Sequence, residues 1–174
     1  MCAIVLLVQL AGARYDTFDF ESAYAVDGIV LQTVAGVTLR AENGSGEMRL
    51  SALRGFGGTS GYALLGTCRS IVLRFDSPVD LVSVRLAESS SSSTSRERMV
   101  TFESDTGESA THAVLDGYRG GAEVVLPFKA VQTLIITDQS GTFTPIIDDV
   151  AFHSHSPEWL GAAGSEHKGT TPGM

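Results

Sequence analysis

Apolar and polar residues alternate with a period of two along residues 70–75, 81–87, 99–104, 131–138 and 146–153. Successive side chains of an extended chain point to opposite faces, so this alternation predicts β-strands with one buried face and one wet face. Residues 18–21, Phe-Asp-Phe-Glu, alternate in the same way, which predicts Phe18 and Phe20 in the core and Asp19 and Glu21 on the opposite face. Further strands are predicted over 29–34 and 37–41, flanking Ala35-Gly36, and over 48–53, after the break at Asn43-Gly44-Ser45-Gly46. Two more are predicted over 109–115 and 122–126, around the glycine-flanked turn at 117–121. Asp27-Gly28 and Asp105-Thr106-Gly107 carry turn chemistry. With no internal repeat and no helix-period segment of useful length, the expected fold is all-β, an antiparallel two-sheet β-sandwich.

Four segments fall outside the alternation. Residues 3–8 are continuously apolar and are followed by Ala11-Gly12-Ala13, as in a secretory leader, but no Lys or Arg precedes them. A first β-strand is the favoured reading, and the run is far shorter than the roughly 20 residues of a membrane-spanning helix. Residues 55–61, Gly-Phe-Gly-Gly-Thr-Ser-Gly, read as a loop; without a Gly-Lys-Ser/Thr ending they do not form a phosphate loop. The serine-rich stretch 87–98 cannot bury apolar area and is expected to bulge into solvent, with Arg96 and Arg98 available to a partner. Residues 156–174 form a Gly/Pro/Ser-rich tail with the single tryptophan, Trp159. The expected organisation is one domain over 1–155 and an extended tail, pinned by the domain or by a neighbouring subunit.

Charge and chemistry narrow the function classes. Twelve Lys and Arg against 20 Asp and Glu leave a formal charge of −8, which opposes binding to nucleic acid or anionic lipid. Cys2 and Cys68 lack metal-binding spacing and are expected as two buried thiols or one disulfide. No Gly-x-Ser-x-Gly or catalytic-cysteine context is present, so a non-enzymatic role is expected. His153 and His155 share a strand face, but two ligands do not make a structural metal site, and an exposed pair is expected. His112 is expected to be a partly buried structural residue.

Sugar binding relies on exposed rings, and the available platforms are Tyr24, Tyr62, Tyr118 and Trp159, with Tyr62 and Tyr118 expected to be the most exposed. Asp148 is expected on the core side of its strand with Ile146, Val150 and Phe152, where a carboxylate needs hydrogen bonds or a cation.

Phe18-Asp19-Phe20-Glu21, Ala35-Gly36-Val37-Thr38-Leu39, the stretch 71–79, Val100-Thr101-Phe102 with Asp105-Thr106-Gly107, and Ile147-Asp148-Asp149-Val150-Ala151-Phe152 follow in order over residues 17–152. Together they resemble a family of secreted bacterial jelly-roll domains found ahead of PEP-CTERM-type sorting tails and related to carbohydrate-binding modules. The resemblance implies a jelly roll of galactose-binding-like type whose first and last strands run side by side. It also implies a structural calcium (Ca2+) site in which Asp19 or Glu21 shares a cation with Asp148. No sorting segment follows residue 152 in this sequence, so anchoring is not part of the expectation.

Two functions stay open. The first is a structural or assembly module that forms or decorates a multi-subunit surface, a virion or an extracellular layer, with other subunits or copies of itself as partners. The apolar segment near the N-terminus, the polar tail and the lack of catalytic groups support it. The second is a calcium-stabilised carbohydrate-binding module contacting a glycan through such residues as Tyr62, Tyr118 and Trp159. A hydrolase is the remaining alternative, with no motif behind it.

Overall fold

The computed structural model describes residues 15–44, 48–52, 61–65, 70–88, 97–115, 122–138 and 145–155. These form twelve strands: β1 Asp16–Phe18, β2 Tyr24–Val26, β3 Ile29–Val34, β4 Val37–Asn43, β5 Arg49–Ala52, β6 Tyr62–Leu65, β7 Ser70–Glu88, β8 Glu97–Ser104, β9 Ser109–Leu115, β10 Ala122–Val125, β11 Val131–Asp138 and β12 Pro145–Ser154. The described residues contain no helix, and every ladder is antiparallel. The fold is an all-β antiparallel sandwich of jelly-roll type.

Its two layers share a strand. One layer has the order β2-β3-β4-β7-β11-β8-β9. The N-terminal half of β7 pairs with β4 and β11 in this layer, while its C-terminal half pairs with β10 and β12 in the other. β12 carries β1 and β6 on its far edge, and β5 lies outside β6. β1 thus lies beside β12, as the resemblance implies.

The stretches 70–75 and 81–87, separated in the sequence by Asp76-Ser77-Pro78, belong to one 19-residue strand. Pro78 is accommodated where the ladder to β11 slips, between Arg74↔Thr133 and Val79↔Val131, a place where no N–H is required of it. Hydrogen bonding therefore joins all twelve strands into one sheet folded over on itself.

Apolar side chains from both layers fill the space between them. Leu39, Ile71, Leu73, Phe102, Leu134 and Ile136 come from the first layer, and Phe18, Val84, Leu86, Ile147, Val150 and Phe152 from the second, all nearly inaccessible to solvent. Two-residue hairpins at Asp27-Gly28 and Ala35-Gly36 connect β2, β3 and β4, with positive φ at all four positions, as the twist of a hairpin demands.

β1 ends at Phe18, earlier than the alternation of residues 18–21 suggests. Phe20 turns the chain with φ 60° yet remains buried. The side chain of Gln32, buried on β3, holds this turn. Its Oε1 accepts the Phe20 amide at 3.0 Å, while its Nε2 donates to Asp19 Oδ1 at 2.9 Å and Ser22 Oγ at 3.2 Å.

Asp80 ties β7 to the β10–β11 connection and to the end of β12. It accepts the Ala130 amide at 3.0 Å, Lys129 Nζ at 2.9 Å and His155 Nε2 at 2.7 Å. Burial pushes its carboxyl upward, but the Ala130 amide, the Lys129 ammonium and the His155 ring outweigh burial and hold it well below the ordinary carboxylate value. A depressed folded-state value stabilises the fold above the unfolded carboxylate pKa, about 3.9, and that stabilisation is lost as pH falls toward the folded-state value. Lys129 and His155 are more than half exposed, so most of the effect comes from the amide. Asp80→Asn should therefore cost about 1–2 kcal/mol at pH 7. In melts of the two proteins, the gap should narrow steadily below about pH 4.

Candidate functional site

A polar cleft opens on the outer face of the second layer, across β1, β12, β7 and β10. It has a volume of about 200 Å3 and is lined by Tyr15, Thr17, Ser83, Arg85, Glu123, Asp149 and Ala151. Strand register builds it. Thr17 faces Ala151, Ala151 faces Ser83, and Ser83 faces Val125, forming one row across the four strands. Arg85 lies in the next row, opposite Glu123 on one side and Asp148 on the other. The small side chain of Ala151 keeps the middle of the floor low, so that longer side chains around it can form walls.

A β-bulge puts the acid in place. Asp148 pairs with Arg85 and Val150 with Val84, leaving Asp149 as an extra residue with φ 46°. The bulge resets the alternation along β12: Ile147, Val150 and Phe152 enter the main core, whereas Ile146 joins a separate small cluster with Ala63 and Ala87. Asp148 therefore does not share one core face with Ile146, Val150 and Phe152. It is nonetheless buried, at 1% exposure, and its Oδ1 accepts the Asp149 amide at 3.0 Å. The carboxylate of Asp149 reaches Arg85, whose Nε donates to Oδ2 at 3.2 Å. A second bulge follows between Ala151↔Ser83 and Phe152↔Leu81, and Ser83, next to core-facing Val84, points into the cleft. There its hydroxyl donates to Glu123 Oε1 at 2.8 Å.

Tyr15 forms the end wall. More than half exposed, it presents a ring whose orientation is set by an edge contact with His153, centroids 6.5 Å apart and planes at 75°. The cleft thus combines an aromatic surface, a guanidinium, two carboxylates and hydroxyls, a set able to donate and accept hydrogen bonds around a polyhydroxylated ring. Arg85 has five donors and, among the described residues, commits only Nε.

No protein-family model matches the chain, and no curated protein matches it.

The structure disperses the residues singled out from sequence. Asp19 Oδ1 accepts from Gln32 and from the Glu21 amide, at 2.9 and 3.1 Å. Glu21 Oε1 accepts the Tyr62 amide at 3.0 Å, and a β-carbon on Gly61, at φ 80°, would collide with that carboxylate. Among the described residues no three His, Cys, Asp or Glu side chains are grouped to hold a metal ion. Asp19, Glu21 and Asp148 are each bonded to protein donors.

Tyr62 is exposed on β6, outside the cleft, and Tyr24 is exposed on β2. His112 is half-buried with its edge toward Phe102, centroids 6.0 Å apart. His153 and His155 go to different partners, Tyr15 and Asp80. Arg98 lies on β8 opposite Val114. Arg96, Tyr118, Trp159, Cys2 and Cys68 lie outside the described residues.

A second, more open groove of about 290 Å3 is lined by Leu31, Thr38, Arg40, Arg74, Phe75 and Asp76. Its charged groups are largely matched within the protein. Arg40 Nε sits 2.5 Å and Arg74 Nε 3.7 Å from Glu42 Oε1, and Asp76 Oδ1 accepts the Thr38 amide at 2.9 Å. The groove's aromatic ring, Phe75, is buried, whereas the polar cleft sets an exposed Tyr15 beside its donors and acceptors and is the stronger candidate.

Sequence reading passed over the cleft because its residues come from four distant segments with no shared motif. Two signals point to it: Arg85 is the one charged residue in an otherwise apolar or hydroxylic run from 81 to 87, and Asp148-Asp149 sets adjacent acids within an apolar strand.

Proposed function

We propose that this chain is a non-enzymatic binding module that takes a carbohydrate in the cleft across β1, β12, β7 and β10. The observation that carries this reading is Tyr15 standing exposed beside Arg85, Asp149, Glu123 and Ser83. An aromatic face packs on the apolar face of a sugar, while paired donors and acceptors at fixed spacing match adjacent hydroxyls. The volume suits one ring, which fits recognition of a single residue or chain end.

Binding without turnover also fits the groups present. Among the described residues no histidine lines the cleft, and the Ser83 hydroxyl donates to a carboxylate rather than to a histidine.

A panel of neutral oligosaccharides titrated by calorimetry tests the proposal. Tyr15→Ala and Arg85→Met should each weaken the best ligand by roughly tenfold. The first removes the stacking face, about 0.5–1.5 kcal/mol beyond area burial, and the second removes hydrogen bonds from a charged group, about 1.5–3 kcal/mol. Melting temperatures of both variants report whether the fold is kept. Unaltered affinity in both folded variants would place the ligand elsewhere.

A second reading, assembly at a particle or cell surface, is favoured by β2. It ends the strand order of its layer, and all three of its residues are exposed, including Tyr24 and Val26. Among the described residues no strand pairs with its outer edge, and an apolar edge can add a strand from another subunit. Mass measured against concentration separates the readings: a monomer that retains sugar supports the module, and discrete oligomers without sugar affinity support assembly.

A further inference from the structure

We infer that the sugar taken by the cleft carries a positive charge, an amino sugar with a free ammonium group, and that Glu123 receives it. This rests on the carbohydrate-binding reading and deepens it.

The charges in the cleft do not cancel. Among the described residues its lining holds one cation, Arg85, and two anions, Asp149 and Glu123. Arg85 Nε lies 3.2 Å from Asp149 Oδ2, so those two form a pair and Glu123 is left over. Among the described residues Glu123 has a neutral partner, the Ser83 hydroxyl on Oε1, and no cation. That hydroxyl orients the carboxylate toward the row of Thr17, Ala151 and Ser83 without neutralising it.

Among the described residues, no other titratable group around the cleft fills the role. His153 packs against the Tyr15 ring, and Asp148, buried in the next position of β12, is an acid and brings no cation. The chain as a whole carries −8. A uronic or sialic acid entering here would set its carboxylate against Glu123 and Asp149. An ammonium seated on Glu123 gains a charge-assisted hydrogen bond, and Arg85 and Asp149 remain available to the hydroxyls.

The test compares a glucosamine tetramer, its fully N-acetylated counterpart and a uronic acid tetramer on the same protein by calorimetry at moderate ionic strength. The amine form should bind roughly tenfold tighter than the acetylated form, and the uronate should be the weakest. Glu123→Gln retains an acceptor for Ser83 and should bring the amine-to-acetyl ratio to about one, with an unchanged melt confirming the fold.

Equal or tighter binding of the acetylated tetramer would overturn the inference and leave the carbohydrate reading standing. A preference for the amine that survives Glu123→Gln would also overturn it, assigning the preference to diffuse attraction by the acidic surface. If none of the three tetramers, and none of the neutral panel, binds, the carbohydrate reading itself fails.

Discussion

Phe18→Ala should lower the unfolding free energy by about 3–5 kcal/mol, the cost of emptying a fully packed aromatic site. Phe18 is wholly buried, stacked on Phe152 with centroids 4.6 Å apart and tilted against Phe75 at 6.1 Å. Against a total stability of about 5–15 kcal/mol, that is a large share. At roughly 2–4 °C per kcal/mol for a chain of this size, the melt should drop by on the order of 6–20 °C.

The position makes the loss more than local. β1 has three residues, and among the described residues its ladder runs to β12 alone, with Phe18 opposite Val150. Without the ring little holds β1, and with β1 go Thr17 and the neighbouring Tyr15 from the cleft. Ligand affinity should therefore fall together with stability, although residue 18 does not line the site. Tyr24→Ala, at an exposed position, should change the melt by no more than about 0.5 kcal/mol allows. Equal melts for the two variants would show that the aromatic stack is not what secures β1.

Gln32→Leu should cost about 2–4 kcal/mol, although it puts an apolar residue into an apolar core. The buried amide oxygen accepts the Phe20 N–H, and the amide nitrogen supplies Asp19 and Ser22. Leucine would leave the Phe20 N–H without its acceptor at a residue whose φ of 60° is already costly outside glycine.

Gln32→Glu offers a sharper comparison. It retains the acceptor for Phe20 but sets a second carboxylate against Asp19 Oδ1. Burial and the like charge would raise the new group's folded-state pKa above its unfolded value, so its penalty at neutral pH should shrink as pH is lowered toward about 4. Chemical denaturation of both variants at pH 7 and near pH 4 checks this: the leucine penalty should persist and the glutamate penalty should fall.

Local alternation was enough to place several strands. Ile29–Val34, Ser109–Leu115 and Val131–Asp138 match the patterned segments end to end, and both phenylalanines of residues 18–21 are in the core. Strict alternation misled where backbone irregularity intervened. Residues 18–21 read as one strand, but a left-handed turn at Phe20 ends it. Residues 146–153 read as one uninterrupted face, but the extra residue at Asp149 resets the parity and moves Asp148 off the face of Val150 and Phe152.

β2 and β6, of three and four residues, carry no apolar-polar alternation, their residues being Tyr-Ala-Val and Tyr-Ala-Leu-Leu. The candidate site was less legible still. Arg85 and Asp149 lie 64 positions apart, and Ser83 and Glu123 lie 40 apart. Pairs of that kind appear only when strands are set in register.

The amino-acid sequence by itself determined the class of this fold, because each two-residue alternation commits its own segment to an extended, half-buried conformation regardless of what lies beside it. It also determined that the molecule is strongly acidic, a property of composition alone. Tertiary structure decided the rest: that β7 serves both layers, that Gln32 anchors a turn it does not adjoin in sequence, and that one guanidinium and two carboxylates meet in a cleft. Those outcomes depend on register and on single-residue bulges, and a shift of one residue turns a side chain from core to surface without altering any local pattern.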